Sequence, residues 1–332
     1  MGKRQRFEHE VSELSKRAGG SYENQKNRRL LWRLYLRYLQ LNDLLPERVK
    51  DTPLHTLEPF VQYCLLNLKK PGDIANRLAA IRVCLRHAGV NPATIPTNRD
   101  LGVPRRNRSG TRRPYTDEEF HMLLARCQKI DQGLYHIVWL CRLLGLRLKE
   151  ALECNETLQE WREALRNGEV SLPIRRGAKN KRFRRVEILM ARRAETLQAV
   201  EAACAFCDAN GGELIGSRHN NLKGAVNRLK PWLRRAGMTG ELSLHALRYT
   251  YACDKANEIR DAGIEELEAL VTLSELLGHG PTRARWIFRV YLKSVAHRFP
   301  SLQPKARTRS AQASARKARS AEDATPDTCF AA

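Results

Sequence analysis

Apolar residues in this chain recur mainly at intervals of three and four, the period of a helix that buries one face. In NRRLLWRLYLRYLQLNDLL the repeat falls on Leu30, Leu31, Leu34, Tyr35 and Tyr38. It resumes in LEPFVQYCLLNL and again in DIANRLAAIRVCLRHAGV. The last of these follows Pro71-Gly72, takes Asp73 as its N-cap and stops near Gly89. Residues 1–97 thus read as a small all-helical domain whose outward positions are rich in Lys and Arg. Residues 98–113 are polar and basic and carry Pro104 and Gly110, which marks a linker. Thr116, with Glu118 and Glu119 behind it, then opens a helix whose first turn is acidic, as the helix dipole favours.

Residues 114–300 keep the helical period with one break. In EVSLPIRRGAKNKRFRRVEIL the alternation of Val170, Leu172 and Ile174, then of Val186 and Ile188, predicts a β-hairpin. Lys179 and Lys181 fall at its tip. Residues 301–332 hold few large apolar side chains, so burial cannot offset their ordering entropy, and they read as a disordered basic tail. The expected fold class is mainly α with one small β-hairpin, an α+β chain of two domains.

Charge narrows the function. There are 59 Lys and Arg against 36 Asp and Glu, a formal net charge of +23. Such a surface attracts polyanions, and nucleic acid is the first candidate, because each neutralised phosphate releases counterions. No apolar run reaches membrane-spanning length, and the N-terminus, MGKRQRFEHE, is charged throughout. A soluble, cytoplasmic protein is expected. The nine Cys are scattered, as for reduced, buried thiols. Cys204 and Cys207 have CxxC spacing, but a structural zinc needs four ligands and only His219 lies nearby, so a helix end is the plainer reading.

Three stretches carry candidate chemistry. In WLCRLLGLRLKEALE, Gly145 ends an apolar helix and Arg147 opens the next, where its fork of donors joins free backbone N–H groups, a setting suited to phosphate. Glu150 can reach back to it along the same face. In ELSLHALRYTYACDK, Ser243 is the N-cap and Leu244, Leu247 and Tyr251 form the buried stripe. His245 and Arg248, three apart, border that stripe on one face. In LLGHGPTRARWIFRVYLKS, His279 follows Leu277-Gly278 and Tyr291 lies twelve residues beyond. Taken alone, each stretch is better read as ordinary solvated or core residues.

Their order is more specific. Gly145-Leu146-Arg147 with Glu150, then a basic hairpin with Lys179 seven residues before Val186, then His245-x-Leu247-Arg248, then Leu277-Gly278-His279, then Tyr291, resembles the tyrosine recombinase (phage integrase) family. The resemblance spans 115–295, and the helical domain and basic linker before it are similar to the family's core-binding domain. It implies site-specific cleavage and rejoining of double-stranded DNA through a 3′-phosphotyrosyl intermediate. Arg147 and Arg248 would clamp the phosphate, His279 would donate a further hydrogen bond, and His245 would assist proton transfer. Lys179 would protonate the leaving 5′-oxygen, with Lys181 and Arg182 as competitors, and Tyr291 would be the nucleophile. The chemistry requires neither metal nor other cofactor. Self-assembly into a tetrameric synapse on DNA, DNA-bending accessory proteins, a bacterial or phage-derived mobile element and no membrane partner are expectations of the same kind.

Two departures stand out. The family tyrosine usually follows the histidine by about nine residues, a position held here by Phe288, and the segment between Arg147 and the hairpin carries an extra helix around Thr157 to Arg166. A catalytically degenerate, integrase-like DNA-binding protein is the alternative, and a type IB topoisomerase is the nearest enzymatic rival. An RNA-binding protein would need exposed aromatics on a sheet, and 7% aromatic content with one short hairpin speaks against it.

Overall fold

The computed structural model describes residues 2–106, 110–177, 183–216 and 221–303. The chain forms two compact units, residues 1–108 and 109–332, each with its own core.

The first unit holds α1 (Lys3–Arg17), α2 (Tyr22–Leu41), α3 (Leu57–Leu66) and α4 (Pro71–His87). The buried stripe of α2 is Trp32, Tyr35, Leu36 and Leu39 with Tyr38, whereas Leu30 is exposed. Of the expected stripe, Tyr35 and Tyr38 are buried and Leu31 and Leu34 pack half-buried against the core, while Trp32, Leu36 and Leu39 widen it. Trp32 and Tyr35 pack with Phe7 and Phe60, and the Trp32 indole donates to the Ala80 carbonyl at 3.2 Å. The start of α4 also differs from expectation. Its N-cap is Lys70 and Pro71 stands at N1, where the missing N–H has no cost, so Asp73 lies inside the first turn. Ile95 and Leu101, beyond α4, are buried in this core as well, so the first unit runs past residue 97.

The second unit is built around α6 (Gln132–Leu144), nearly all of which is buried. Preceding it is α5 (Asp117–Ile130), capped by Thr116, whose hydroxyl accepts from the Glu119 N–H while Glu119 accepts from the Thr116 N–H. After it come α7 (Leu148–Leu152) and α8 (Leu158–Arg166), then the hairpin of β1 (Ser171–Ile174) and β2 (Arg184–Glu187), antiparallel with Leu172 opposite Val186. The hairpin tip, with Lys179, Lys181 and Arg182, lies outside the described residues. The extra helix α8 is bound to the sheet by the Trp161 indole, which donates to the Pro173 carbonyl at 2.7 Å.

The rest of the described residues add only helices: α9 (Arg193–Ala209), α10 (Leu222–Arg235), α11 (Leu244–Asp261), α12 (Glu266–Leu276) and α13 (Ala284–Tyr291). Cys204 and Cys207 are buried on α9, and His219 lies outside the described residues. Among the described residues no group of three or more His, Cys, Asp or Glu is placed to share a metal ion, and no helix is long and apolar enough to cross a membrane. Past Tyr291, Leu292, Val295 and Phe299 fold back into the unit's own core.

Candidate active site

Gly145 makes the first turn of the site. It ends α6 in the left-handed region, at φ 56°, and a Cβ there would meet the Tyr251 ring at 2.5 Å. Only glycine meets both demands. The turn makes Arg147 the N-cap of α7, and Glu150 reaches back as the sequence predicts: one carboxylate oxygen accepts from the Arg147 N–H at 2.8 Å, the other from its guanidinium at 2.6 Å. Glu150 is itself buried. Burial alone would raise its pKa, but Arg184 first, then Arg248 and Arg147, hold it down at about 2.

Arg248 sits on α11 and is fully buried, not at the edge of the stripe. Its guanidinium donates to the Gly145 carbonyl at 2.6 Å and to the Leu277 carbonyl, while its Nε has no hydrogen-bond partner among the described residues. Arg147 donates to the same Leu277 carbonyl, at 2.7 Å. The two arginines, 101 positions apart in the sequence, thus converge on one oxygen. Burial, then the positive charges of Arg184 and Arg147, lower the Arg248 pKa to about 10, which leaves it protonated at neutral pH.

The Leu277–Gly278 turn exists because α12 stops there. The Gly278 N–H caps the Glu275 carbonyl and the His279 N–H caps Ser274, with Gly278 at φ 64°. A Cβ on Gly278 would lie 2.8 Å from the Arg184 side chain and 3.4 Å from Arg147. The absent side chain is what lets the arginines pass.

Tyr291 is the last residue of α13 and is only 3% exposed. Its hydroxyl is 3.4 Å from Nε2 of His245, its ring lies 4.4 Å from Tyr249 and 6.1 Å from His279, and the His279 ring packs at 4.9 Å on Trp286. A short 3-10 turn, Pro281–Arg283, stands between Gly280 and α13, and α13 carries both Phe288 and Tyr291, three residues apart and so on neighbouring faces. Phe288 packs instead against Phe299, with ring centroids 5.8 Å apart. The imidazole of His245 is driven down to a pKa of about 4, by burial first and then by Arg248, Arg112 and Arg147, so it is neutral at pH 7.

Arg147, His245, Arg248, His279 and Tyr291 therefore form one cluster. Lys179 lies outside the described residues. Two participants escaped the sequence reading. Arg184, buried on β2, holds Glu150 at 2.8 Å. Arg112 donates to the Ser243 hydroxyl at 2.7 Å, so the predicted N-cap of α11 accepts from a guanidinium instead of its own helix. Three largely buried guanidinium groups (Arg147, Arg184 and Arg248) against one carboxylate leave net positive charge around the Leu277–Gly278 turn. Such a pocket favours an anion with several acceptor oxygens.

Residues 102–254 match a family described as integrase. That match includes Arg147, His245 and Arg248 and ends before His279 and Tyr291. The fold is similar to the Tn1549 transposon integrase in complex with transposon right end DNA, at 15% identity over 93% of this chain and 99% of that chain, with a TM-score of 0.54. The same integrase in complex with circular intermediate DNA matches at 15% identity over 93% and 99%, with a TM-score of 0.51. The XerH site-specific recombinase bound to palindromic difH substrate matches at 15% identity over 86% and 83%, also at 0.51. No curated protein matches the chain in sequence. Residues 102–254 are thus similar to the integrase family, and the fold is similar to that of these integrase and recombinase structures.

Proposed function

We propose that this protein is a site-specific DNA recombinase whose nucleophile is Tyr291. The observation that carries the reading is the shared oxygen: Arg147 and Arg248 both donate to Leu277, beside a tyrosine hydroxyl 3.4 Å from a neutral histidine. In the reaction the Tyr291 oxygen attacks a DNA phosphorus, the phosphorus–O5′ bond breaks, and a 3′-phosphotyrosyl ester remains. Rejoining reverses these events with a new 5′-hydroxyl, so the bond energy is conserved and no nucleotide cofactor is consumed.

Negative charge concentrates on the nonbridging oxygens in the transition state. Arg147 and Arg248 stabilise it, and preorganised donors of this kind supply the largest share of such catalysis. His245 accepts the phenolic proton through Nε2. Its low pKa reflects burial first and then the positive charges of Arg248, Arg112 and Arg147, and the negative charge of a substrate phosphate offsets the second of these and makes the imidazole more basic. His279 hydrogen-bonds the phosphate, and Lys179 protonates the departing 5′-oxygen. The partner is double-stranded DNA, on which several copies assemble into a synapse. The setting is the cytoplasm and nucleoid of a cell that carries the mobile DNA.

The test uses duplexes selected from a random pool by their binding to the full-length protein, then nicked so that cleavage is trapped. The wild type is expected to give a detergent-resistant protein–DNA adduct, and Tyr291→Phe none at equal DNA affinity. Binding without any adduct would leave a DNA-binding protein of integrase fold. Relaxation of supercoiled DNA with no preferred site would indicate a topoisomerase.

A further inference from the structure

We infer that Arg184 is a positioning residue for strand cleavage: it braces Glu150 and the end of α12 together, and through them fixes the guanidinium groups of Arg147 and Arg248. The inference rests on the reading of the site given above. Arg184 is 6% exposed, and all three of its nitrogens are engaged. Nη2 and Nε donate to the two oxygens of Glu150, at 2.8 and 3.3 Å, and Nη1 donates to the Leu276 carbonyl. The same two Glu150 oxygens hold Arg147 by its backbone N–H and its guanidinium. One carboxylate is thus shared between a residue that meets the phosphate and one that does not.

The other end of the brace is a helix terminus. The carbonyls of Leu276 and Leu277 close α12, where unpaired carbonyls and the helix dipole concentrate negative charge. Arg184 takes Leu276, while Arg147 and Arg248 take Leu277. Three arginines therefore read successive positions of one turn, and moving that turn moves both phosphate-binding groups. Gly278 keeps the passage open, since a Cβ there would lie 2.8 Å from the Arg184 side chain. For folding alone the arrangement is poor, because a buried ion pair is often replaceable by apolar side chains without loss. Lysine cannot take over, because one ammonium cannot span both the carboxylate edge and the Leu276 carbonyl.

The experiment titrates the full-length, arginine-labelled protein with inorganic phosphate and follows the Nε–H NMR signals of Arg147 and Arg248. In the wild type both signals should shift with one common dissociation constant. In R184Q and R184K the joint response should be lost and phosphate affinity should fall roughly tenfold to a hundredfold, the scale seen when outer partners of metal ligands are removed. Affinity for a selected duplex, held by many other phosphates, should fall by no more than the phosphate affinity does, while single-turnover adduct formation on its nicked form at saturating protein falls by about a hundredfold, as for a small misplacement of catalytic groups. Because Arg184 works through Glu150, E150Q/R184M should lose no more phosphate affinity than E150Q. This pair also serves if R184Q does not fold. Wild-type phosphate binding in R184Q, strictly additive losses in the double variant, or no phosphate binding by the wild type would each overturn the inference. A wild type that binds phosphate as described but never forms a DNA adduct overturns the recombinase reading instead.

Discussion

At the scale of single residues, Arg248 carries the most consequence. Replacing it with Ala removes the donor to the Gly145 carbonyl, and a buried group left unsatisfied costs about 1–3 kcal/mol. Arg248→Lys keeps the charge but cannot bridge two carbonyls and a phosphate. Adduct formation by Arg248→Lys should fall by roughly a hundredfold or more, the usual loss when one transition-state donor is removed. A single-turnover cleavage assay beside a thermal melt separates the two effects. Histidine 245 gives a pH signature. Its folded pKa of about 4 lies below the reference 6.5, so between these values the unfolded chain binds the proton that the folded one refuses. The stability it contributes is complete above pH 6.5 and is lost as pH falls towards 4. His136, also lowered to about 4, adds a parallel loss. Melting temperatures recorded from pH 7 to pH 4 should fall less steeply for His245→Gln than for the wild type, and parallel curves would refute the assignment.

The elements show what can be read from neighbouring residues and what cannot. Thr116 with Glu119, Gly145 before Arg147, and Glu150 three residues on were legible, because caps and turns are made by side chains within reach of their own backbone. The hairpin was legible from its alternation. Arg184 was not, since its partners lie 34 and 92 positions away and nothing sets it apart among 59 basic residues. Nor was the burial of Arg248, which depends on α12 ending beside α11. The stripe of α2 was legible except at Leu30: Tyr35 and Tyr38 are buried and Leu31 and Leu34 half-buried, while the repeat did not reveal that Trp32 and Leu36 turn inward as well. Gly145 offers the element-scale test. Gly145→Ala forces a left-handed alanine, at about 1–2 kcal/mol, and sets a methyl against Tyr251, whose hydroxyl holds the Glu187 carbonyl of β2. A chemical-denaturation curve should show at least that loss, with cleavage falling further because α6, α7 and the hairpin meet there.

Across the whole molecule, the two cores share no residue, so each unit has what it needs to unfold as its own cooperative step. Calorimetry of the full chain should resolve two transitions, and site variants such as Gly145→Ala should move only one. A formal charge of +23 predicts DNA affinity that falls steeply and linearly on a log–log plot against salt, with a slope of about −0.9 per phosphate neutralised. Charge alone would give that result for many basic proteins. What separates this one is a tyrosine placed against a histidine and two convergent arginines. The most direct measurement is therefore peptide mass spectrometry of the protein after reaction with a nicked, selected duplex and nuclease digestion. A nucleotide remnant on the tryptic peptide that contains Tyr291, absent in Tyr291→Phe, is the predicted result. A remnant on Tyr249 or elsewhere, or adducts that persist in Tyr291→Phe, would contradict it.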